Sequence, residues 1–190
     1  ISPTLALPNT ATNITITGTN FVSVPTVELV STTGAIVRAD TVTYSSATSL
    51  VASVNVAALA SYYVRVENNN GQSVRSTNAD LTVSTAPSFT TAAGSLGSFT
   101  KGATISVNVS GTSDSAITIT KTSGTFPTGL SLGSTVSNTA TISGTESGTQ
   151  TTATTYNFTL RAADAEAQTT DRDFSITIQP ATIANSGLFS

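Results

Sequence analysis

The sequence predicts an all-β protein that consists of two β-sandwich domains in tandem. Apolar residues recur with a period of two through most of the chain, which is the pattern of half-buried strands. Thr, Val and Ile suit a pleated surface and are abundant, whereas charged residues make up only 9% of the sequence. A length of 190 residues is long for one small sandwich and suits two of about 100 residues each.

The first domain is predicted over residues 1–85. Its strands are bounded by turn signals, of which Asn69-Asn70-Gly71 is the strongest, because Asn and Gly tolerate the positive φ that tight hairpins require. The alternating residues that we expect in its core are Ile14, Ile16, Val64 and Val66.

The second domain is predicted over residues 86–180, after the short linker Ser84-Thr85-Ala86-Pro87. Its strands alternate with loops rich in Gly, Ser and Thr, such as Gly111–Ser115, and each domain is expected to hold two packed antiparallel sheets. The core residues expected here are Ile105, Val107, Phe158, Leu160 and Ile176. Residues 181–190 are expected to be a tail or the start of a further module.

The charge distribution argues against two classes of partner. The net charge is −3, and the seven basic residues are scattered along the chain. A nucleic-acid binder concentrates its basic residues to neutralise phosphates, and so does a protein that binds anionic membranes. We therefore expect no nucleic-acid partner and no membrane partner, and no run of about 20 apolar residues predicts a spanning segment.

Composition also restricts the chemistry. The chain has no His and no Cys, which excludes a conventional catalytic triad and a thiol site. The densest acidic group is Asp164, Glu166, Asp171 and Asp173. It could serve as a glycosidase acid and base or as a set of oxygen ligands for calcium, but a solvated hairpin is the preferred interpretation. We therefore predict no catalytic, cofactor-binding or metal-binding residues, no cofactor, and folding without an ion.

The sequence raises two other kinds of site. An isopeptide bond would need Lys101 or Lys121 buried beside Asn157 or an Asp, but the chain offers only these two lysines and no recognisable signature of such a bond. A glycan could stack on Tyr63, which faces outward if Tyr62 faces inward, or on Tyr44. Cell-surface glycans therefore stay open as partners.

The first domain contains a series of spaced motifs. They are Ile1-Ser2-Pro3, Ile14-Thr15-Ile16-Thr17-Gly18-Thr19-Asn20-Phe21, Pro25 with Val27, and Tyr62-x-Val64-x-Val66-x-Asn68-x-x-Gly71. They span nearly all of residues 1–84, and with them the domain resembles the IPT/TIG family of immunoglobulin-like domains. The family usually has Gly shortly before that Tyr, where this chain has Ala60-Ser61.

The second domain has its own spaced motifs. They are Phe126-Pro127-Thr128-Gly129-Leu130-Ser131-Leu132, Ile142-Ser143-Gly144-Thr145, Tyr156-x-Phe158-x-Leu160-x-Ala162-x-Asp164 and Phe174-Ser175-Ile176-Thr177-Ile178. With these motifs the domain resembles the putative-Ig, cadherin-like family of bacterial and phage surface proteins. Family members often carry Pro and Gly where this chain has Glu146 and Ala167. Together the two resemblances predict two tandem immunoglobulin-like β-sandwich domains.

The pairing of these families is similar to virion proteins of marine tailed phages, especially cyanophage-like ones. The resemblance implies a non-catalytic structural protein on the virion exterior, as capsid decoration or in a neck, tail or fibre. Its expected partners are other virion proteins, in repeated copies or as a homo-oligomer. The alternatives are a bacterial cell-surface adhesin or S-layer-type stalk, and an accessory module of a secreted carbohydrate-active enzyme.

Overall fold

The computed structural model describes residues 1–181, and in this range the protein consists of strands and loops without a helix. The predicted all-β class is confirmed. The chain divides into two compact units, Ile1–Thr85 and Ala86–Ser190. The prediction for residues 181–190 falls, from residue 182 onward, outside the described residues.

The first unit has one sheet of six strands and one of three. Its strands are β1 Leu5–Ala6, β2 Thr12–Thr17, β3 Thr26–Ser31, β4 Ile36–Arg38, β5 Thr41–Ser46, β6 Ser49–Val54, β7 Ala60–Glu67, β8 Ser73–Arg75 and β9 Leu81–Val83. The larger sheet has the order β1-β9-β7-β3-β4, with β8 also paired to β7, and the smaller sheet has the order β2-β6-β5.

The second unit has two sheets of four strands. Its strands are β10 Ser88–Phe89, β11 Gly94–Thr100, β12 Thr104–Thr112, β13 Thr118–Gly124, β14 Leu130–Leu132, β15 Thr139–Thr145, β16 Thr154–Ala163 and β17 Thr169–Gln179. One sheet has the order β10-β12-β15-β14, and the other has the order β11-β17-β16-β13.

The expectation of purely antiparallel sheets is wrong at one edge of each unit. β1 pairs with β9 and β11 pairs with β17, both in parallel. The cause is the same in both units. The first residues of each unit pair with one sheet and then cross to the other. The pairing with the first sheet is the bridge Ser2–Thr15 in the first unit and the pair β10–β12 in the second. After crossing, they run beside the last strand of their unit and in the same direction.

The predicted core residues lie where the alternation places them. Ile14, Ile16, Val64 and Val66 are buried in the first unit. In the second unit Ile105, Phe158, Leu160 and Ile176 are buried, whereas Val107 is half-buried and packs against the core. Aromatic rings meet within this core: the buried Phe89 and Phe174 lie edge to face with ring centroids 5.6 Å apart.

Two hairpins, one in each unit, end in the same kind of turn. In the first unit the Asn68 N–H donates to Gln72 O (2.8 Å) and the Gly71 N–H donates to Asn68 O (2.9 Å). In the second the Asp164 N–H donates to Gln168 O (3.1 Å) and the Ala167 N–H donates to Asp164 O (3.3 Å). This is the three-residue loop that places its last residue in the left-handed region.

Candidate functional site

The second unit gathers three carboxylates at one end. Asp114 lies in the loop between β12 and β13, and Asp164 and Glu166 lie in the turn between β16 and β17. One carboxylate oxygen from each of the three residues lies within 4.8 Å of the other two. We call these three residues the acidic cluster.

Asp164 owes its position to the alternation of β16. Phe158, Leu160 and Ala162 point into the core at every second position, and Asp164 is the next residue in that phase. It is only 9% exposed. Its Oδ1 accepts a hydrogen bond from the Gln168 N–H (2.7 Å), whereas its Oδ2 is buried without a hydrogen-bond partner. A buried oxygen in this state is costly, because it has lost water and gained nothing.

The two loops of the acidic cluster are joined by a serine. The Ser115 hydroxyl donates to Glu166 Oε2 (2.6 Å) and accepts from the Ala165 N–H (3.2 Å). This bridge holds the β12–β13 loop against the β16–β17 turn. Asp114 is exposed, and its Oδ1 accepts a hydrogen bond from the Ser113 hydroxyl (3.2 Å).

The acidic group expected from the sequence does not stay together. Asp171 and Asp173 lie on the exposed phase of β17, away from the core. Asp171 accepts two hydrogen bonds from Arg161, from Nε (2.7 Å) and Nη2 (2.8 Å), and these bonds hold the pKa of its carboxyl below its usual value. Asp173 accepts from the Thr159 hydroxyl (2.7 Å). Grouping by position in the chain missed Asp114, which the fold brings to Asp164 and Glu166 from about 50 residues upstream.

Glu146, which the sequence marked only as a departure from the family pattern, is an acidic residue that is 2% exposed. Its carboxylate accepts from the Gly102 N–H (3.0 Å), the Gly148 N–H (2.7 Å) and Gln150 Nε2 (3.0 Å). Burial on its own would raise the pKa of Glu146, but these hydrogen bonds and the charge of Lys101 act against burial and lower it. Glu146 therefore ties the β11–β12 turn to the loop after β15.

The groove beside Asp173 has a volume of about 440 Å³ and is lined by residues of β13, β16 and β17 and by the start of β11. Asp173 is the one acidic residue in this lining. A glycosidase needs two carboxyl groups on either side of the bond that it cleaves. The groove holds one half of such a pair.

The two lysines that an isopeptide bond would require have other contacts. Lys121 Nζ donates to Gly124 O (2.7 Å), and Lys101 Nζ lies 3.5 Å from Gln150 O. Asn157 lies in β16 opposite Ser175. Among the contacts found for residues 1–181, none joins either lysine to Asn157.

Tyr63 and Tyr44, the two tyrosines on which a glycan could stack, differ in their surroundings. Tyr63 is half-exposed while Tyr62 is buried, as the alternation predicts. The guanidinium of Arg75 lies 4.2 Å from the centroid of the Tyr63 ring and therefore covers one of its faces. Tyr44 packs against the first core.

Comparison with known families and structures identifies the family and the fold. The model of the putative Ig domain family matches residues 79–179, which is more than half of the chain, so the chain belongs to this family. The match covers the second unit and the last strand of the first. The resemblance of residues 1–84 to IPT/TIG domains stays a prediction. No curated protein matches the chain.

Among solved structures, the titin I-band fragment I67-I69 is 13% identical with a TM-score of 0.54, and the match covers 93% of this chain and 62% of the fragment. The endo-fucoidan hydrolase MfFcnA4 from glycoside hydrolase family 107 is 17% identical with a TM-score of 0.44, and the match covers 95% of this chain and 28% of the hydrolase. This chain thus spans less than two thirds of either relative. The titin likeness shows the immunoglobulin-like fold, in agreement with the family match, and a fold by itself does not fix a function.

Residues 1–181 form only strands and loops, and so this part of the chain contains no helix that could cross a membrane.

Proposed function

We propose that this chain is a non-catalytic structural module pair on the exterior of a phage virion, as capsid decoration or in a neck, tail or fibre. The observation that carries the proposal is the character of the outer sheet faces. Hydroxyl side chains on neighbouring strands pair with one another: Thr104 with Thr145 (3.2 Å), Ser110 with Thr139 (2.8 Å) and Thr155 with Thr177 (2.9 Å).

These cross-strand pairs stabilise the sheets without charge. They leave a surface of neutral hydrogen-bonding groups, in agreement with a charged fraction of only 9%. Such a surface suits a component that is present in many copies on a particle, since neighbouring copies carry little like charge to repel one another. Its partners would be other virion proteins.

The resemblance of both domains to modules of tailed-phage virion proteins supports the same assignment. In this role the chain has no substrate and no cofactor. Two sandwiches with separate cores present the loops that would contact neighbouring proteins.

Mass spectrometry of purified particles, together with gold-labelled antibody against residues 1–180, tests this proposal. We expect peptides of the chain at a fixed ratio to the major capsid protein, and gold on the outside of intact particles. Envelope fractions of uninfected host cells serve as the control. If the chain occurs only in host envelopes, the virion assignment is wrong, and a bacterial adhesin or S-layer-type stalk replaces it.

A further inference from the structure

The sheet formed by β11, β17, β16 and β13 is irregular on both of its edge strands, and both irregularities flank one groove. The register of β13 against β16 shifts between Lys121 and Ser123, and the register of β11 against β17 shifts between Ser95 and Ser98. Such bulges re-aim side chains, and they are enriched at sheet edges and next to functional sites. The groove beside Asp173 lies between them, because its lining includes Ser123 on one side and the start of β11 on the other.

The irregularity in β13 decides where Ser123 points. Ile119 is buried, and an uninterrupted alternation would send Ser123 towards the core as well. The shift instead brings Ser123 opposite Thr159, whose side chain lies on the outer face of β16. The Ser123 hydroxyl donates to Thr159 Oγ1 (2.8 Å), and the Thr159 hydroxyl donates to Asp173 Oδ1 (2.7 Å). These hydrogen bonds hold one carboxylate oxygen of Asp173 and leave its Oδ2 available to a ligand.

The neighbouring pair of residues on the same face also has free hydrogen-bonding groups. Asn157 on β16 lies opposite Ser175 on β17, next to the pair Thr159–Asp173. Asn157 is exposed and Ser175 is half-exposed, and the hydrogen bonds found within residues 1–181 use neither the Asn157 side-chain amide nor the Ser175 hydroxyl. The floor of the groove therefore presents a carboxylate oxygen, an amide and a hydroxyl within two adjacent cross-strand pairs.

We propose that the groove beside Asp173 binds a neutral glycan, and that Asp173 and Asn157 form its main hydrogen bonds. This goes beyond the proposed structural function, and it holds equally for a chain on a virion and for a chain on a host envelope. The sequence pointed to Tyr63 and Tyr44 as residues on which a glycan could stack. In the structure Arg75 covers one face of the Tyr63 ring, and Tyr44 packs against the first core.

The free groups of the floor match the chemistry of a sugar. A sugar hydroxyl both donates and accepts hydrogen bonds, and Asp173 Oδ2 accepts while the Asn157 amide does both. Asn157 and Asp173 are diagonal neighbours on β16 and β17, about 7–8 Å apart, so one sugar ring can contact both side chains. The volume of about 440 Å³ lies within the range of small-ligand sites, which is about 300–1,000 Å³.

The lining of the groove argues against other classes of ligand. It contains no Lys or Arg, so an anion would meet only the negative charge of Asp173. The rings of Phe158 and Phe174 belong to the buried core, so the groove has no deep apolar pocket for a peptide side chain. Ala93 is exposed, and a Cβ at Gly94 would meet nothing within 4 Å. This open wall admits the apolar face of a sugar ring.

Amide NMR of the full chain during titration with neutral trisaccharides of glucose, mannose, galactose or N-acetylglucosamine tests the proposal. We expect at least one of them to shift the backbone amides of Ser123, Asp173 and Ser175, together with the side-chain amide of Asn157. The site is open and depends on few hydrogen bonds, so we expect saturation with a dissociation constant of about 10⁻³ M. A sulfated heparin oligosaccharide is the charge control and should move none of these signals.

Three variants identify the contacts. Asp173→Asn should weaken binding by about tenfold, because a charged acceptor becomes a neutral amide. Asn157→Ala should also weaken it by about tenfold, because both a donor and an acceptor are lost. Both residues are exposed, so the amide spectrum away from the groove should stay unchanged. Asp171→Asn is the matched control: it removes the same charge from the same strand, outside the lining of the groove, and should bind as the native chain does.

The proposal is overturned if none of the four trisaccharides moves the groove signals at about 20 mM, which is well above the expected dissociation constant. It is also overturned if Asp173→Asn and Asn157→Ala bind as the native chain does, or if heparin shifts the same signals. None of these results bears on the virion assignment, which the mass spectrometry of purified particles tests separately.

Discussion

Ala167 has a backbone conformation that belongs to a glycine in the equivalent turn of the first domain. Its φ is +64°, and Gly71 at the same place in the Asn68–Gln72 turn has a φ of +83°. A residue with a Cβ in the left-handed conformation destabilises the folded state by about 1–2 kcal/mol. A glycine avoids this cost, but its greater freedom in the unfolded chain cancels part of the gain in stability. The turn keeps its shape because the hairpin around it imposes that shape.

We expect Ala167→Gly to raise the free energy of unfolding by about 0.5–1 kcal/mol. Gly71→Ala should lower it by a similar amount, because a Cβ at Gly71 would meet nothing within 4 Å and the backbone alone is affected. Urea denaturation of both variants measures the two differences. Ala165→Gly is the control: this exposed alanine of the same turn is not left-handed, so the substitution should destabilise. If Ala167→Gly lowers the free energy of unfolding, the left-handed conformation of Ala167 is not a source of strain.

Glu146 predicts a dependence of stability on pH. Its pKa in the folded chain lies below the ordinary value of 4.5, because the hydrogen bonds from Gly102, Gly148 and Gln150, with the charge of Lys101, outweigh its burial. A group with a depressed pKa stabilises the folded state above its unfolded pKa, and this contribution is lost as the pH falls through the folded pKa.

Glu146→Gln should therefore cost about 2 kcal/mol at pH 7, because a neutral amide cannot accept all three hydrogen bonds. The difference from the native chain should shrink as the pH falls below 4.5. Thermal melts between pH 7 and pH 3 measure it. Glu67→Gln is the control, since its ion pair with Arg65 lies on the surface and contributes little. A difference that stays constant down to pH 3 would show that the charge of Glu146 is not the cause.

At the scale of elements, two glycines let β14 and β15 approach each other. A Cβ at Gly144 would lie 2.1 Å from Gly129 O, and a Cβ at Gly129 would lie 2.1 Å from Thr145 O. Both glycines belong to the segments that carry the family resemblance, 126–132 and 142–145. The contact with backbone atoms explains why no side chain fits at either position.

We expect Gly144→Ala to lower the free energy of unfolding by about 2–4 kcal/mol, because backbone cannot move aside as a flexible side chain can. Gly133→Ala is the matched control at the end of the same pair of strands. A Cβ there would lie 3.4 Å from Thr141 O, and the residue has no positive φ. Chemical denaturation compares the two variants, and equal effects would refute the explanation.

Strand alternation was the part of the fold that the sequence could predict. Ile14 with Ile16 and Phe158 with Leu160 are buried because a period of two puts them on one face of a strand. The acidic cluster could be predicted only in part. The same alternation marks Asp164 as inward-facing, but the approach of Asp114 depends on which loops meet at the end of the sandwich, and sequence spacing does not contain that information.

At the scale of the whole molecule, each core is built from the residues of one unit. The buried residues from Ala6 to Val83 form one cluster, and those from Phe89 to Ile178 form the other. The family model begins at residue 79, six residues before the first unit ends at Thr85. Residues 79–85 therefore match the family of the second unit but belong to the fold of the first.

The strand β9 shows what these residues contribute to the first unit. Leu81 and Val83 are fully buried there, and β9 connects β1 to β7 in the larger sheet. Without β9 the sheet loses one of its inner strands, two core side chains and the partner of β1. Removal of a large buried side chain costs about 2–5 kcal/mol, and a small domain has only about 5–15 kcal/mol in total.

We therefore expect residues 1–85 to fold alone, residues 86–181 to fold alone, and residues 1–78 to remain unfolded. Circular dichroism and amide NMR of the three fragments test this prediction. Leu81→Ala in the 1–85 fragment is the intermediate case, and it should lower the free energy of unfolding by about 2–5 kcal/mol while the strand stays in place. If residues 1–78 fold with the dispersed spectrum of the 1–85 fragment, β9 is dispensable, and the first domain ends where the family model begins.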